Sequence, residues 1–198
     1  MSVLRAFVAI ELPEDIQFRL EQVSTQLKQD LEGISVRWVP VPKIHLTLFF
    51  LGDVSVANLQ LLKDNLHSEA VIHHPFEISI GKLGAFPSLQ RPRVIWVGVE
   101  APTELGVFQT GIENRMTRLG YPREERPFSP HLTLGRVSRN SLPAEVRKIS
   151  QVLQATRVGF LGVAQVMQVH LFRSDLKTDG AIYTKVHTEF LSEIHPGA

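Results

Sequence analysis

Cysteine is absent from the 198 residues. Disulfides, thiolate metal sites, thiol nucleophiles and thiol redox switching are therefore excluded, and a reducing compartment fits. An excess of one charge is also missing, since 21 Lys+Arg stand against 20 Asp+Glu. That balance argues against a broad non-specific nucleic-acid coat or an acidic tail and confines any nucleic-acid contact to a small local surface. No window approaches the roughly 18 consecutive apolar residues that a membrane span requires. The stretch Val3 to Ile10 is interrupted by Arg5 and closed by Glu11, too short and too charged for a secretory h-region. The expectation is a cytoplasmic monomer with no membrane partner. Several catalytic signatures are missing too. There is no His-Glu-x-x-His, no Gly-x-Ser-x-Gly elbow and no Gly-x-Gly-x-x-Gly, and Gly81-Lys82 lacks the upstream glycine of a P-loop. His73-His74 is a single polar pair rather than a ligand cluster. No metal and no cofactor are expected.

What is present suffices for a core: 43% of residues are hydrophobic, and a chain of this length removes roughly 70% of its unfolded surface from water. Val3 to Leu12 is rich in β-branched and aromatic residues and is closed by Pro13, as a strand is. Ile16, Leu20, Val23, Leu27 and Leu31 recur at three- and four-residue steps and predict a helix from Glu14 to about Leu31. Further strands are predicted at Ile44 to Leu51, Phe76 to Leu83, Arg93 to Val99 and Phe128 to Val137. Helices are predicted at Val56 to Ala70, Thr103 to Leu119 and Leu142 to Leu153. Two long alternating runs, Gly159 to Phe172 and Ala181 to Phe190, suggest a closing antiparallel hairpin turning at Lys177 to Gly180. The order predicts an α+β fold, and no Ser- or Pro-rich linker divides the chain.

The tetrapeptide His-Leu-Thr-Leu occurs at His45-Leu46-Thr47-Leu48 and again 86 residues later at His131-Leu132-Thr133-Leu134. Chance would repeat some tetrapeptide in such a chain on the order of one time in five, so repetition alone proves little. Content and setting carry the weight: each copy follows a proline, Pro42 or Pro130, and each falls in a predicted strand. Residues i and i+2 of a strand share a face, so His and Thr point one way while the leucines enter the core. Imidazole takes or gives a proton near neutrality, and two imidazoles can divide the roles of acid and base. A threonine hydroxyl two residues on can hold a non-bridging oxygen. Two such pairs facing across a cleft would bracket a tetrahedral phosphorus, with one imidazole on attacking water and the other on the leaving oxygen. The competing reading is a module of the same fold that binds nucleotides or RNA ends without turnover. A paired acid and base speaks against it, since binding needs neither.

These residues in their context resemble the two-histidine phosphoesterases, and within them the RNA 2′,3′-cyclic phosphodiesterases, also called 2′-5′ RNA ligases. The resemblance covers nearly the whole chain. It includes Arg5-Ala6-Phe7-Val8-Ala9-Ile10, Trp38-Val39-Pro40, the first motif running into Phe50-Leu51-Gly52, the run Arg91 to Trp96, and Arg126-Pro127-Phe128-Ser129-Pro130 leading into the second motif and Gly135-Arg136. Leu171 to Ser174 and Gly180 to Tyr183 resemble the closing hairpin.

The resemblance implies a single bilobal α+β domain over residues 1–198, in which two pseudo-symmetric antiparallel sheets face across a central cleft with helices outside. It implies hydrolysis of RNA 2′,3′-cyclic phosphate ends, or of small cyclic nucleotides, to 2′-phosphomonoesters without metal, and reversible 2′-5′ ligation. Under it His45 is the proton donor to the leaving ribose oxygen and His131 the acceptor that activates water. Thr47 and Thr133 hold phosphate oxygens, and Arg136 adds positive charge. In a regular strand Arg136 falls on the face opposite His131, unless Gly135 permits a bend. Phe49 shares the predicted face of His45 and Thr47 and could stack on a base, although strand phenylalanines are more often core. Arg91, Arg93, Arg123 and Arg126 could together meet RNA phosphates, although surface arginines are commonly just solvated.

Overall fold

A computed structural model of the chain describes residues 2–177 and 180–192. In chain order it contains β1 (Val3–Ile10), α1 (Glu14–Asp30), β2 (Val36–Trp38), β3 (Leu46–Ser55), α2 (Leu59–Ala70), β4 (Phe76–Phe86) and β5 (Val94–Glu100). There follow α3 (Thr103–Arg118), β6 (His131–Val137), α4 (Pro143–Ala155), β7 (Phe160–Val166), β8 (Gln168–Lys177) and β9 (Gly180–Phe190). Two residues of the predicted closing turn, Thr178 and Asp179, lie outside the described residues. Among the described residues no helix is long and apolar enough to cross a membrane.

The strands are antiparallel and run in the order β7-β4-β5-β6-β3-β1-β8-β9. One lobe is β9-β8-β1-β3 and the other is β6-β5-β4-β7, as the α+β bilobal expectation requires. The lobes are not wholly separate sheets. They join at one residue pair, Leu46↔Leu132, where β3 meets β6. Beyond it β3 departs, and the three-residue β2 takes over the edge of β6. The chain passes repeatedly between lobes: α1 leaves β1 in the first lobe and packs on β7 in the second, while α2 and α3 cover the first lobe.

Helices bury one face of the sheet in a large core that includes Val8, Leu46, Leu48, Leu132 and Leu134. The other face carries a separate small cluster of Phe7, Ala9 and Phe172 with Tyr183 packed against it. Strand β1 is central to its lobe and covered on both faces, which is why Ala6 to Ile10 read as an unbroken apolar run.

Strand β2 has no counterpart among the expected strands, β6 begins at His131 rather than Phe128, and β8 runs on to Lys177 rather than ending at Phe172. Three further departures have identifiable reasons. Gly52-Asp53 does not stop β3. Gly52 adopts φ 69° at a register shift against β1, so the glycine marks a bulge and the strand continues to Ser55. Strand β4 likewise continues through Gly84, where any Cβ would fall inside the Trp96 ring on the neighbouring strand. The run Gly159 to Phe172 is two strands broken at Met167, β7 pairing with β4 and β8 with β1. Alternation specifies a strand but not its partner.

Candidate active site

Both histidine motifs sit where the lobes meet. Leu46 and Leu132 pair and point into the core, so His45, Thr47, His131 and Thr133 all project from the opposite face. Continuing the antiparallel register one residue each way sets His45 against Thr133 and Thr47 against His131. The two imidazoles thus occupy one diagonal of a four-cornered site and the two hydroxyls the other. The burial pattern is the same along both motifs: half-buried His, buried Leu, half-buried Thr, two buried residues, then an exposed one.

Each imidazole is fixed in the same way. His45 Nδ1–H donates to the Lys43 carbonyl at 2.8 Å, and His131 Nδ1–H donates to the Ser129 carbonyl at 2.8 Å. That bond selects the tautomer and leaves Nε2 of both rings as the nitrogen able to take up a proton. The two approaches differ: Pro42 lies in a short 3-10 turn, Val41–Lys43, that ends at an extended Ile44, whereas Pro130 immediately precedes β6, and each ring still meets a carbonyl two residues back. Lys43 also ties the first approach segment to β9, its Nζ donating to the Ala181 carbonyl at 3.0 Å.

Aromatic rings back each histidine from its own lobe. Phe7 stacks on His45 with centroids 4.7 Å apart, and Tyr183 meets it edge-on at 5.2 Å. Phe86 meets His131 edge-on at 4.9 Å, with Trp96 at 6.3 Å. Burial is the largest influence on both imidazoles and holds each below the ordinary 6.5, while the carbonyl bonds pull both upward. The nearby charges act in opposite senses. Glu11 raises His45, and Arg136 lowers His131.

Glu11, which belongs to neither histidine motif, stands just beyond β1. Its Oε2 lies 2.6 Å from Lys185 Nζ and 3.4 Å from Nε2 of the fully buried His170. Burial pushes His170 down to about 4, so it stays neutral and leaves the carboxylate charge to act on His45. In sequence the only sign of Glu11 is a charge ending an apolar run. Lys185 and His170 come from β9 and β8, more than 150 positions away.

Arg136 does lie on the His131 face. The register of β6 against β5 slips between Thr133 and Gly135, so Leu134 is an extra residue and the alternation inverts after it. A matching slip at Leu48 inverts β3. There the inversion corrects the expectation for Phe49, which is 1% exposed and packed in the core, where no base can reach it. Phe50 takes the surface position instead, 52% exposed with its ring 6.1 Å from that of Phe7. The four loop arginines do not form one patch. Arg91 and Arg93 line a shallow groove with Arg147 and Pro143, whereas Arg123 and Arg126 line another beside Phe50.

The LigT-like phosphoesterase family pattern matches this chain twice, over residues 10–96 and 97–183, so that each match holds one histidine motif. The chain is 33% identical to an RNA 2′,3′-cyclic phosphodiesterase of Methanothermobacter thermautotrophicus over 91% of this chain and 95% of that one. It is likewise 33% identical to one from Archaeoglobus fulgidus, over 91% and 96% of the respective chains. Among solved structures, a Thermus thermophilus protein superimposes with a TM-score of 0.79 at 28% identity, covering 97% of this chain and all of that one. Escherichia coli LigT, crystallised with 3′-AMP, shares the fold with a TM-score of 0.75 at 24% identity, over 96% and 99% of the two chains. With two matched histidine motifs at the joint of two lobes and the family pattern covering both halves, the chain belongs to the LigT-like phosphoesterase family.

Proposed function

We propose that the protein hydrolyses RNA 2′,3′-cyclic phosphate ends to 2′-phosphomonoesters, its two lobes forming one catalytic unit. The carrying observation is the Leu46–Leu132 pair, whose register puts the two imidazoles on one face and one diagonal, together with their matched Nδ1 anchors, because in-line displacement needs a base and an acid on opposite sides of phosphorus. His131 Nε2 takes a proton from water as its oxygen attacks phosphorus. The bond from phosphorus to the ribose 3′-oxygen breaks, and His45 Nε2 delivers its proton to that oxygen. Thr47 and Thr133 hold the non-bridging oxygens, and Arg136 offsets the charge that gathers on them. Glu11 favours the protonated form of His45 and Arg136 the neutral form of His131, in keeping with this division of roles.

Acid and base both come from side chains, so no metal is required for either role. A 5′-hydroxyl in the place of water would undergo the same steps and give a 2′-5′ linkage. Phe50 offers the terminal base a stacking surface at the cleft edge. The test is incubation of an RNA ending in a 2′,3′-cyclic phosphate with the protein in chelator, followed by identification of the product terminus. A 2′-phosphate is expected. An intact cyclic end would make the protein a binding module, and turnover lost in chelator but restored by a divalent ion would overturn metal independence.

A further inference from the structure

We propose that Arg37, on the short strand β2, is a substrate-binding residue that grips the internal phosphodiester next to the cyclic end, so that the protein prefers RNA strands to mononucleotides. This rests on the RNA-end reading above.

Arg37 pairs directly with Arg136 across the β2–β6 ladder, which puts both side chains on the same face with Cβ atoms about 4.5–5.5 Å apart. Because the slip at Leu134 turns Arg136 to the side of His131, Arg37 faces that side as well. Like charges directly opposite one another on a sheet are destabilising. Neither guanidinium has a hydrogen-bonded or ion-paired partner among the described residues, and both are exposed. Val94 flanks Arg136 on its other side and offers no counter-charge.

An edge arginine that only kept other strands away would work equally well opposite a neutral residue. Two unpaired guanidiniums side by side, one of them next to the reacting histidine, suit a ligand carrying two adjacent negative charges. A strand with an internal phosphodiester beside its cyclic phosphate has them, and a mononucleoside cyclic phosphate does not. Guanidinium binds such oxygens through its planar fork, so lysine would replace it only in part.

The experiment compares wild type, Arg37→Ala and Arg37→Gln on two substrates, a trinucleotide ending in a 2′,3′-cyclic phosphate and a mononucleoside 2′,3′-cyclic phosphate. Removing a hydrogen bond to a charged group should raise KM for the trinucleotide about tenfold with kcat unchanged. KM for the mononucleotide should stay within about twofold, since a phosphate contact acts only where that phosphate is present. For binding of a single-stranded RNA ending in a 3′-phosphate, the slope of log affinity against log salt should shrink by about 0.7. Thermal stability should hold or rise, because a like-charge pair is relieved.

Equal loss on both substrates would move Arg37 to the terminal phosphate and overturn the proposal. No loss on either, or increased self-association alone, would leave Arg37 an edge guard and overturn it too. If wild type turned over neither substrate, the RNA-end reading itself would fail, and the salt slope of binding would still decide whether Arg37 holds an RNA phosphate.

Discussion

In the first lobe the imidazole of His45 rests on Phe7 and lies within the field of the Glu11 carboxylate, whereas in the second His131 meets the edge of Phe86 and lies within that of the Arg136 guanidinium. The backbone is shared: each ring is held by a carbonyl two residues back, and each motif is followed by a one-residue slip that inverts the strand. The side chain that the slip brings to the surface differs, Phe50 in one lobe and Arg136 in the other. Repeated geometry thus leaves Nε2 of both rings without the carbonyl partner that holds Nδ1, and the nearby charges pull their proton affinities in opposite senses. A duplicated frame with divergent neighbours places a charge that favours the protonated imidazole beside His45 and one that favours the neutral imidazole beside His131.

The largest expected effect tests the shared part. His45→Ala and His131→Ala should each slow the chemical step by about 10²-fold or more while the protein stays folded, as single-turnover rates would measure. Near-normal turnover in either would remove that histidine from the chemistry. Next comes the slip. Phe49→Ala should cost about 3–5 kcal/mol of stability in denaturant unfolding, the scale for emptying a buried aromatic site. Phe50→Ala should leave stability nearly unchanged and raise KM, because base stacking contributes about 1–3 kcal/mol. The reverse pattern would mean that β3 does not invert at Leu48.

The charges should have smaller effects, read in pH profiles. Under the proposed roles the base must be neutral, so His131 should set the acid limb of kcat/KM, and the acid must be protonated, so His45 should set the alkaline limb. Glu11 raises His45, hence Glu11→Gln should move the alkaline limb to lower pH. Arg136 lowers His131, hence Arg136→Ala should move the acid limb to higher pH, besides weakening binding of the phosphate. Each change narrows the bell from its own side, and movement of the other limb would reassign the roles. The smallest effect concerns the centre of the bell. Burial holds both imidazoles below 6.5, so kcat/KM should peak below pH 6.5. In the complex the phosphate charge favours both imidazolium forms, and the kcat profile should lie at higher pH than the kcat/KM profile.

Much of this site can be read from the sequence, because it depends on local periodicity. Alternation places His and Thr opposite the leucines, and both motifs follow prolines. The α+β order is likewise visible in the periods of its elements. The slip at Leu48 is invisible in sequence, since an extra residue in a ladder is defined by the partner strand. Phe49 and Phe50 therefore exchange faces without a sequence signal, whereas Arg136 reaches His131 through a slip beside Gly135, the residue that could have announced it. Glu11 and Arg37 meet residues far along the chain, brought close only by the sheet order, so no local pattern could single them out.

The division of labour between the two histidines is tested most directly by a cyclic phosphodiester whose leaving group is activated. A good leaving group needs no protonation, so it should restore turnover to His45→Ala and leave His131→Ala slow. Restoration of His131→Ala with His45→Ala still slow would contradict the assignment and exchange donor and acceptor.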